Sequence, residues 1–259
     1  MIAFFHKLAS SLGSTSIDHS AVLFPAYMFG LTVIAFFLLT RKMFLDRLGE
    51  LKADLIALLS SFFLITIPSL LPRTIAGIPE KESVGFMFMF FAFYFFLCAW
   101  KSKNKYLGYI HSVLAAASTA LMALVWGGFI YVYITIAVSV GIAFILGKVE
   151  RENFINYSIW CLLSFIIIYF STERYSIINL LTSTTTGLAT GVFFVMLIDF
   201  AVQKTVLKKY FEYGILAKVP RTIVPIVILL AFIILFSIIQ PQYINREAHD
   251  ILKNLVTPT

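Results

Sequence analysis

The residues best suited to chemistry lie in one stretch, Pro72-Arg73-Thr-Ile-Ala-Gly77-Ile-Pro79-Glu80-Lys81-Glu82-Ser-Val-Gly85. Glu80 and Glu82 are two residues apart, and Arg73 precedes Glu80 by seven. Carboxylate oxygens of this kind hold hard divalent cations. The same residues also read as helix punctuation: proline at the first helical position, then acidic side chains in the first turn, stabilises a helix N-terminus. Geometry separates the two readings, because residues two apart share a side of an extended chain and diverge on a helix. Both glutamates face one ion only where the backbone between them is not fully helical; otherwise one ligates and the other supports. Glu173-Arg174 is a second charged pair in a very short loop, where it is either solvated or placed to orient an anionic head group. The polar run Leu181-Thr-Ser-Thr-Thr-Thr-Gly187-Leu-Ala-Thr-Gly191 either packs a second helix closely, through its small residues and hydroxyls, or lines a polar groove for lipid. His6, His19, His111 and His249 have no metal-ligand spacing, and the sequence contains no Ser/His/Asp set, phosphate-binding glycine loop or zinc motif.

The elements that must position these residues are apolar. Hydrophobic residues make up 60% of the 259 and charged residues 13%, against about 25% charged in a soluble domain. Apolar runs long enough to cross a bilayer fall at roughly 21–40, 53–71, 83–100, 106–125, 127–147, 154–171, 176–200 and 222–240, which predicts an all-α polytopic bundle of about eight spans. No charge separates the fourth and fifth runs, so they read as a tight hairpin turning at Trp126-Gly127-Gly128. Of the 20 Lys and Arg residues, 14 fall in segments 41–52, 101–105, 148–151 and 204–221. Positive charge marks the cytoplasmic side. That places the N-terminus, the C-terminus and the Arg73–Glu82 stretch outside, in an integral protein of the cell membrane.

The net charge of +7 sits beside membrane segments, which points to anionic lipid rather than nucleic acid as its partner. No Asp, Glu, Lys or Arg falls mid-span, as one would in a proton- or sodium-coupled transporter. Cys98 and Cys161 lie inside apolar runs and read as small buried hydrophobes. Residues 199–221 read as a short amphipathic helix on the cytoplasmic surface or as a charged connector. An outside N-terminus requires a preceding signal or span, and residues 1–20 do not form one. The chain 1–259 is therefore expected to be a transmembrane piece that lacks its first span.

Four segments together resemble a known family. They are Arg73-Thr-Ile-Ala-Gly77 with Glu80-x-Glu82, the Phe-rich span ending at Trp100-Lys101, Trp126-Gly-Gly128-Phe-Ile-Tyr-Val-Tyr133, and Leu197-Ile-Asp199-Phe before a basic stretch. With the tail Leu255-Val-Thr-Pro-Thr259, they resemble the catalytic subunit of oligosaccharyltransferase in its archaeal form. The resemblance implies a membrane glycosyltransferase C-type fold with a large external loop and a C-terminal external domain, neither present in this sequence. It also implies transfer of a glycan from a polyprenyl (dolichyl) phosphate carrier to asparagine in Asn-x-Ser/Thr, with Mn2+ or Mg2+ as cofactor. By the same resemblance Glu80 and Glu82 would form the acidic pair of the metal site. Arg73 would be the catalytic-site arginine that organises the loop, and Trp126 and Arg174 are candidate contacts for the lipid carrier or its head group. The family's acidic pair is usually led by Asp, and its Asp-x-Asp motif and Trp-Trp-Asp-x-Gly sequence have no counterpart here. The partners implied are a lipid-linked oligosaccharide, an acceptor polypeptide and membrane lipid. The alternatives are an inactive membrane scaffold sharing the fold, or a lipid or small-molecule transporter.

Overall fold

A computed structural model of the chain describes residues 2–12, 16–183, 186–204 and 226–227. The regular elements among these residues are helices: α1 (Ile2–Leu12), α2 (Ile17–Leu48), α3 (Glu50–Ile65), α4 (Lys81–Trp100), α5 (Lys105–Val125), α6 (Ile130–Ile145), α7 (Arg151–Ser171), α8 (Ile177–Thr182) and α9 (Gly187–Lys204), with single 3-10 turns at Leu71–Arg73 and Gly127–Phe129. No strand occurs among the described residues. Among the described residues, five segments are long and apolar enough to cross a membrane: α2, α4, α5, Gly127–Ile145 and α7.

Of the remaining three expected runs, two differ for local reasons. Helix α3 begins early, at Glu50, and stops at Ile65 after 16 residues, because Pro68 lacks a backbone N–H and disfavours helical geometry in the residue before it. The run 176–200 is broken between α8 and α9. There Thr186 Oγ1 donates to the Leu180 carbonyl, the Ser183 and Thr186 hydroxyls lie 2.6 Å apart, and Gly187 N–H donates to Ser183 O at 2.7 Å. Hydroxyls that bond nearby backbone offer an alternative to the helical ladder, which explains why a run of Ser and Thr interrupts an otherwise apolar span. A Cβ added at Gly191 would meet nothing within 4 Å among the described residues. The run 222–240 and most of the expected amphipathic segment 199–221 lie outside the described residues, although 199–204 continue α9.

By contacts, the described chain divides into two compact units, which split within α6 and α7. In the first, α4 packs against α2 and α5, and α2 packs against α3. Small residues fill these interfaces: Ala35, Ala53, Ala57, Ala92, Ala115 and Ala120 are fully buried, while Leu58, Phe62 and Phe63 are more than 60% exposed. In water that arrangement would be unfavourable, but it is how helices approach closely in lipid, where large apolar side chains face the tails and small ones face each other. Several hydroxyls on these helices are satisfied locally, as with Thr32 to Met28 O (2.8 Å), Ser112 to Gly108 O (3.0 Å) and Thr119 to Ala115 O (2.8 Å), whereas the buried Ser61 hydroxyl of α3 has no partner among the described residues. A polar group in hydrocarbon must find its partner within the protein.

Helix α1 was not expected from the polar N-terminal stretch. Its Phe5 ring meets Phe24 and Tyr27 of α2 with centroids 5.4 Å away, and His6 Nδ1 lies 3.0 Å from Ser20 Oγ. In the second unit, Tyr133, Tyr157 and Trp160 form a fully buried aromatic cluster, and Tyr157 Oη donates to Ala189 O at 2.9 Å, tying α7 to α9.

Opposite the Arg73 end of α4, two ion pairs tie α2 to its neighbours. Arg41 of α2 pairs with Asp54 of α3. Lys101, just past α4, donates to Lys42 O (3.0 Å) and Met43 O (3.3 Å) and pairs with Asp46 at 2.9 Å. Its ammonium thus serves several acceptors at once, although Asp46 is 57% exposed and so contributes modestly. Lys101→Met is expected to lower stability in mild detergent by about 1–2 kcal/mol, read as a lower thermal-unfolding midpoint with unchanged helix content.

Candidate functional site

The site is built on the loop between α3 and α4. Leu70 is buried at its start, and the 3-10 turn Leu71–Arg73 projects the arginine. Thr74, also buried, directs its hydroxyl at the carbonyls of Leu70 and Leu71, 3.1 Å away in each case, which closes the turn. The loop is pinned to α2 where Gly77 N–H donates to Val22 O at 2.9 Å. Gly77 holds φ +94, a conformation that a side chain would resist. From there the chain runs through Pro79 into α4.

Glu80 is the N-cap of α4, with extended φ −79 and ψ 150, whereas Glu82 lies in the first helical turn. Pro79 therefore precedes the cap instead of taking the first helical position. The extended cap residue resolves the geometric question posed by the spacing, since one acid is off the helix and the other on it, and the two side chains converge. Arg73 Nη1 donates to Glu82 Oε1 at 2.8 Å and to Glu80 Oε2 at 3.3 Å. The Glu80 side chain does not cap the helix; Ser83 Oγ instead donates back to Glu80 O at 2.8 Å. Side-chain exposure falls from 48% for Arg73 to 40% for Glu80 and 21% for Glu82. At that exposure each ion pair contributes on the order of 0.2–1 kcal/mol. The cluster is thus held mainly by its backbone anchors and remains open to an incoming charge.

As a donor set, two carboxylates suit a hard cation such as Mg2+ or Mn2+, which is usually bound through one or two carboxylates plus water and substrate phosphate. Among the described residues no group of three or more His, Cys, Asp or Glu side chains is arranged to hold a metal. The pair fits such an ion in chemistry and would supply only part of its coordination. Beside Glu80 a cavity of about 400 Å3 opens, walled by Ile2, Ala3, Phe24, Val84, Leu124 and Val125, with Pro79 and Lys81 at its edge.

Trp126, the fourth expected site residue in this unit, leaves α5 in extended geometry, φ −143 and ψ 135. Its indole is half-buried and meets Phe86 with centroids 5.3 Å away. Arg174 is exposed in the turn between α7 and α8, within the second unit. The structure brings Arg73, Glu80 and Glu82 together. Sequence reasoning missed the Val22 carbonyl, for which no signal exists, and Thr74, whose hydroxyl inside an Arg-Thr-Ile-Ala-Gly turn was a usable one.

A family model described as oligosaccharyl transferase STT3, N-terminal, matches residues 1–254. The chain belongs to this family. Among curated relatives, the STT3 subunit of the dolichyl-diphosphooligosaccharide–protein glycosyltransferase of Saccharomyces cerevisiae is 24% identical over 157 residues, 60% of this chain and 20% of the yeast protein. Among solved structures, the archaeal oligosaccharyltransferase AglB of Archaeoglobus fulgidus, in complex with an inhibitory peptide and a dolichol-phosphate, superposes with TM-score 0.70 at 20% identity, covering 99% of this chain and 30% of AglB. The Archaeoglobus fulgidus enzyme in complex with Zn and sulfate gives TM-score 0.64 at 21% identity, over 94% of this chain and 30% of that one. This STT3-family chain thus shares the helical fold of those proteins and spans about a fifth of the yeast relative and under a third of the archaeal structures.

In this STT3-family loop, Gly77→Ala forces a side chain into positive φ and is expected to cost about 1–2 kcal/mol. Hydrogen exchange at residues 70–80 is the direct readout, and it should accelerate in the variant while exchange in the middle of α4 stays unchanged.

Proposed function

We propose that this chain is the transmembrane part of an oligosaccharyltransferase catalytic subunit, which transfers an oligosaccharide from a dolichyl phosphate-type carrier to asparagine in Asn-x-Ser/Thr. On this reading the chain belongs to a longer protein or assembly that supplies the rest of the site. The observation that carries the reading is the convergence of Glu80 and Glu82 on one guanidinium, in a loop at the end of membrane-length helices, in a chain matched to the STT3 family from residue 1 to 254. The archaeal structures, one in complex with a dolichol-phosphate and another with Zn and sulfate, support the same chemistry.

Glu80 and Glu82 would hold a divalent cation, Mn2+ or Mg2+. When bound, such an ion supplies positive charge to a leaving phosphate. Arg73 would keep the two carboxylates together and balance their charge. Lipid-facing large side chains on the spans suit an isoprenoid. The apolar cavity beside Glu80 places hydrocarbon contact next to the charged cluster, the juxtaposition a lipid-linked phosphate requires. Arg174 would meet the carrier's anionic head group from its exposed turn. Trp126 would reach the carrier only through the part of its ring that is not packed. The excess of Lys and Arg in the loops at the other ends of the spans supports an outward-facing site, with both ends of the chain outside.

In the complete protein that carries this chain, Glu80→Ala is expected to reduce metal-dependent transfer of glycan to an Asn-x-Thr peptide by about 10–100-fold, and Glu80→Asp to retain most of it. Equal transfer by wild type and Glu80→Ala across a Mn2+ titration would remove Glu80 from the site.

A further inference from the structure

We propose that Trp126 is a positioning residue for the carboxylate pair: its indole is the stop against which the first turn of α4 is seated. This inference rests on the functional reading above and assigns one of its residues a different task.

The packing is unusually close. A Cβ built on Gly85 would stand 2.6 Å from Trp126 Cε3, and one on Gly128 would stand 2.5 Å from Cζ3 and 2.6 Å from Cε3 and Cη2. The ring therefore fills the space that side chains would occupy at both glycines, one on α4 and one in the turn that follows Trp126 itself. Gly85 is three residues beyond Glu82, so the two share a face of α4 on consecutive turns. The contact lies directly behind the acidic pair. Ser83 and Val84, between Glu82 and Gly85, are buried as well.

The start of α4 needs such a stop. Glu80 forms no side-chain cap on its own helix, and the ion pairs to Arg73 are exposed and too weak to fix its height. The indole is rigid, with only two side-chain torsions. Its backbone is anchored by Trp126 N–H to Met122 O at 2.7 Å. A displacement of α4 along Trp126 would move Glu82, on the helix, more directly than Glu80, in the extended cap, and would open the spacing the two acids share at Arg73. The sequence Trp126-Gly-Gly is accounted for on this basis, as the second glycine makes room for the ring of the tryptophan before it.

The test uses the complete protein in nanodiscs, with Trp126→Ala, Trp126→Phe, Gly85→Ala and the double variant Gly85→Ala/Trp126→Ala. Hydrogen exchange over residues 80–86 is the primary readout, followed by the affinity for Mn2+ alone and the separate kcat and KM for a lipid-linked donor. Trp126→Ala is expected to accelerate exchange in the first turn of α4, weaken Mn2+ binding about tenfold and lower kcat with little change in donor KM. Trp126→Phe should recover most of each property. Gly85→Ala should resemble Trp126→Ala, and removing the ring in the double variant should relieve its clash. A raised donor KM with unchanged exchange and Mn2+ affinity would overturn the proposal and make Trp126 a carrier contact. If wild type binds no Mn2+, the metal reading fails on its own, and the exchange data alone decide the positioning role. Unchanged exchange at residues 80–86 in Trp126→Ala overturns that role.

Discussion

One guanidinium nitrogen shared by two carboxylates is the interaction around which the site is organised. Arg73 meets Glu80 and Glu82 only because the chain changes conformation between the two acids, extended at the first and helical at the second. Were both in the helix, they would diverge; were both extended, Glu82 would lose the favourable field at the helix N-terminus. The backbone carries the burden of this convergence. The Thr74 turn, the Gly77 amide on the Val22 carbonyl and the Ser83 hydroxyl on the Glu80 carbonyl fix the loop with neutral hydrogen bonds. The charges are thereby left exposed enough to exchange partners.

The membrane imposes the second constraint. Helices that cannot gain from burying leucine approach through alanine and close their hydroxyls onto their own backbone, as Thr32, Ser112 and Thr119 do. Ionisable groups gather at the two ends of α4: Arg73 with its acids at one, Lys101 with Asp46 at the other. The helix bearing the site is thus held at both termini by charge and along its length by small-residue packing against α2 and α5. Those two contacts suit α4 as a fixed mount for chemistry at its N-terminus.

Much of this was legible in the sequence because hydropathy and charge are one-dimensional signals. The membrane-length helices, the break at Trp126-Gly-Gly and the Arg73, Glu80 and Glu82 set could all be read directly. Helix ends were harder. Pro68 shortens α3, and the hydroxyls of Ser183 and Thr186 divide an apolar run, because local backbone competition overrides mean hydropathy. Helix α1 carries an amphipathic pattern over Ile2–Leu12, but its docking through Phe5 on Phe24 and Tyr27 is a tertiary contact that the pattern does not specify. The seat of Trp126 on Gly85 was equally invisible, since 41 positions separate them in sequence and only the fold brings them together.

The central claim is that Glu80 and Glu82 act together as ligands of one divalent cation. Electron paramagnetic resonance of Mn2+ bound to the complete protein, wild type against Glu80→Gln/Glu82→Gln, tests it most directly. The account predicts one protein-bound Mn2+ signal in wild type that is lost in the double variant while the fold is kept. An identical bound signal at the same affinity in both proteins would contradict it, and would leave the acidic pair as no more than the charged start of a helix.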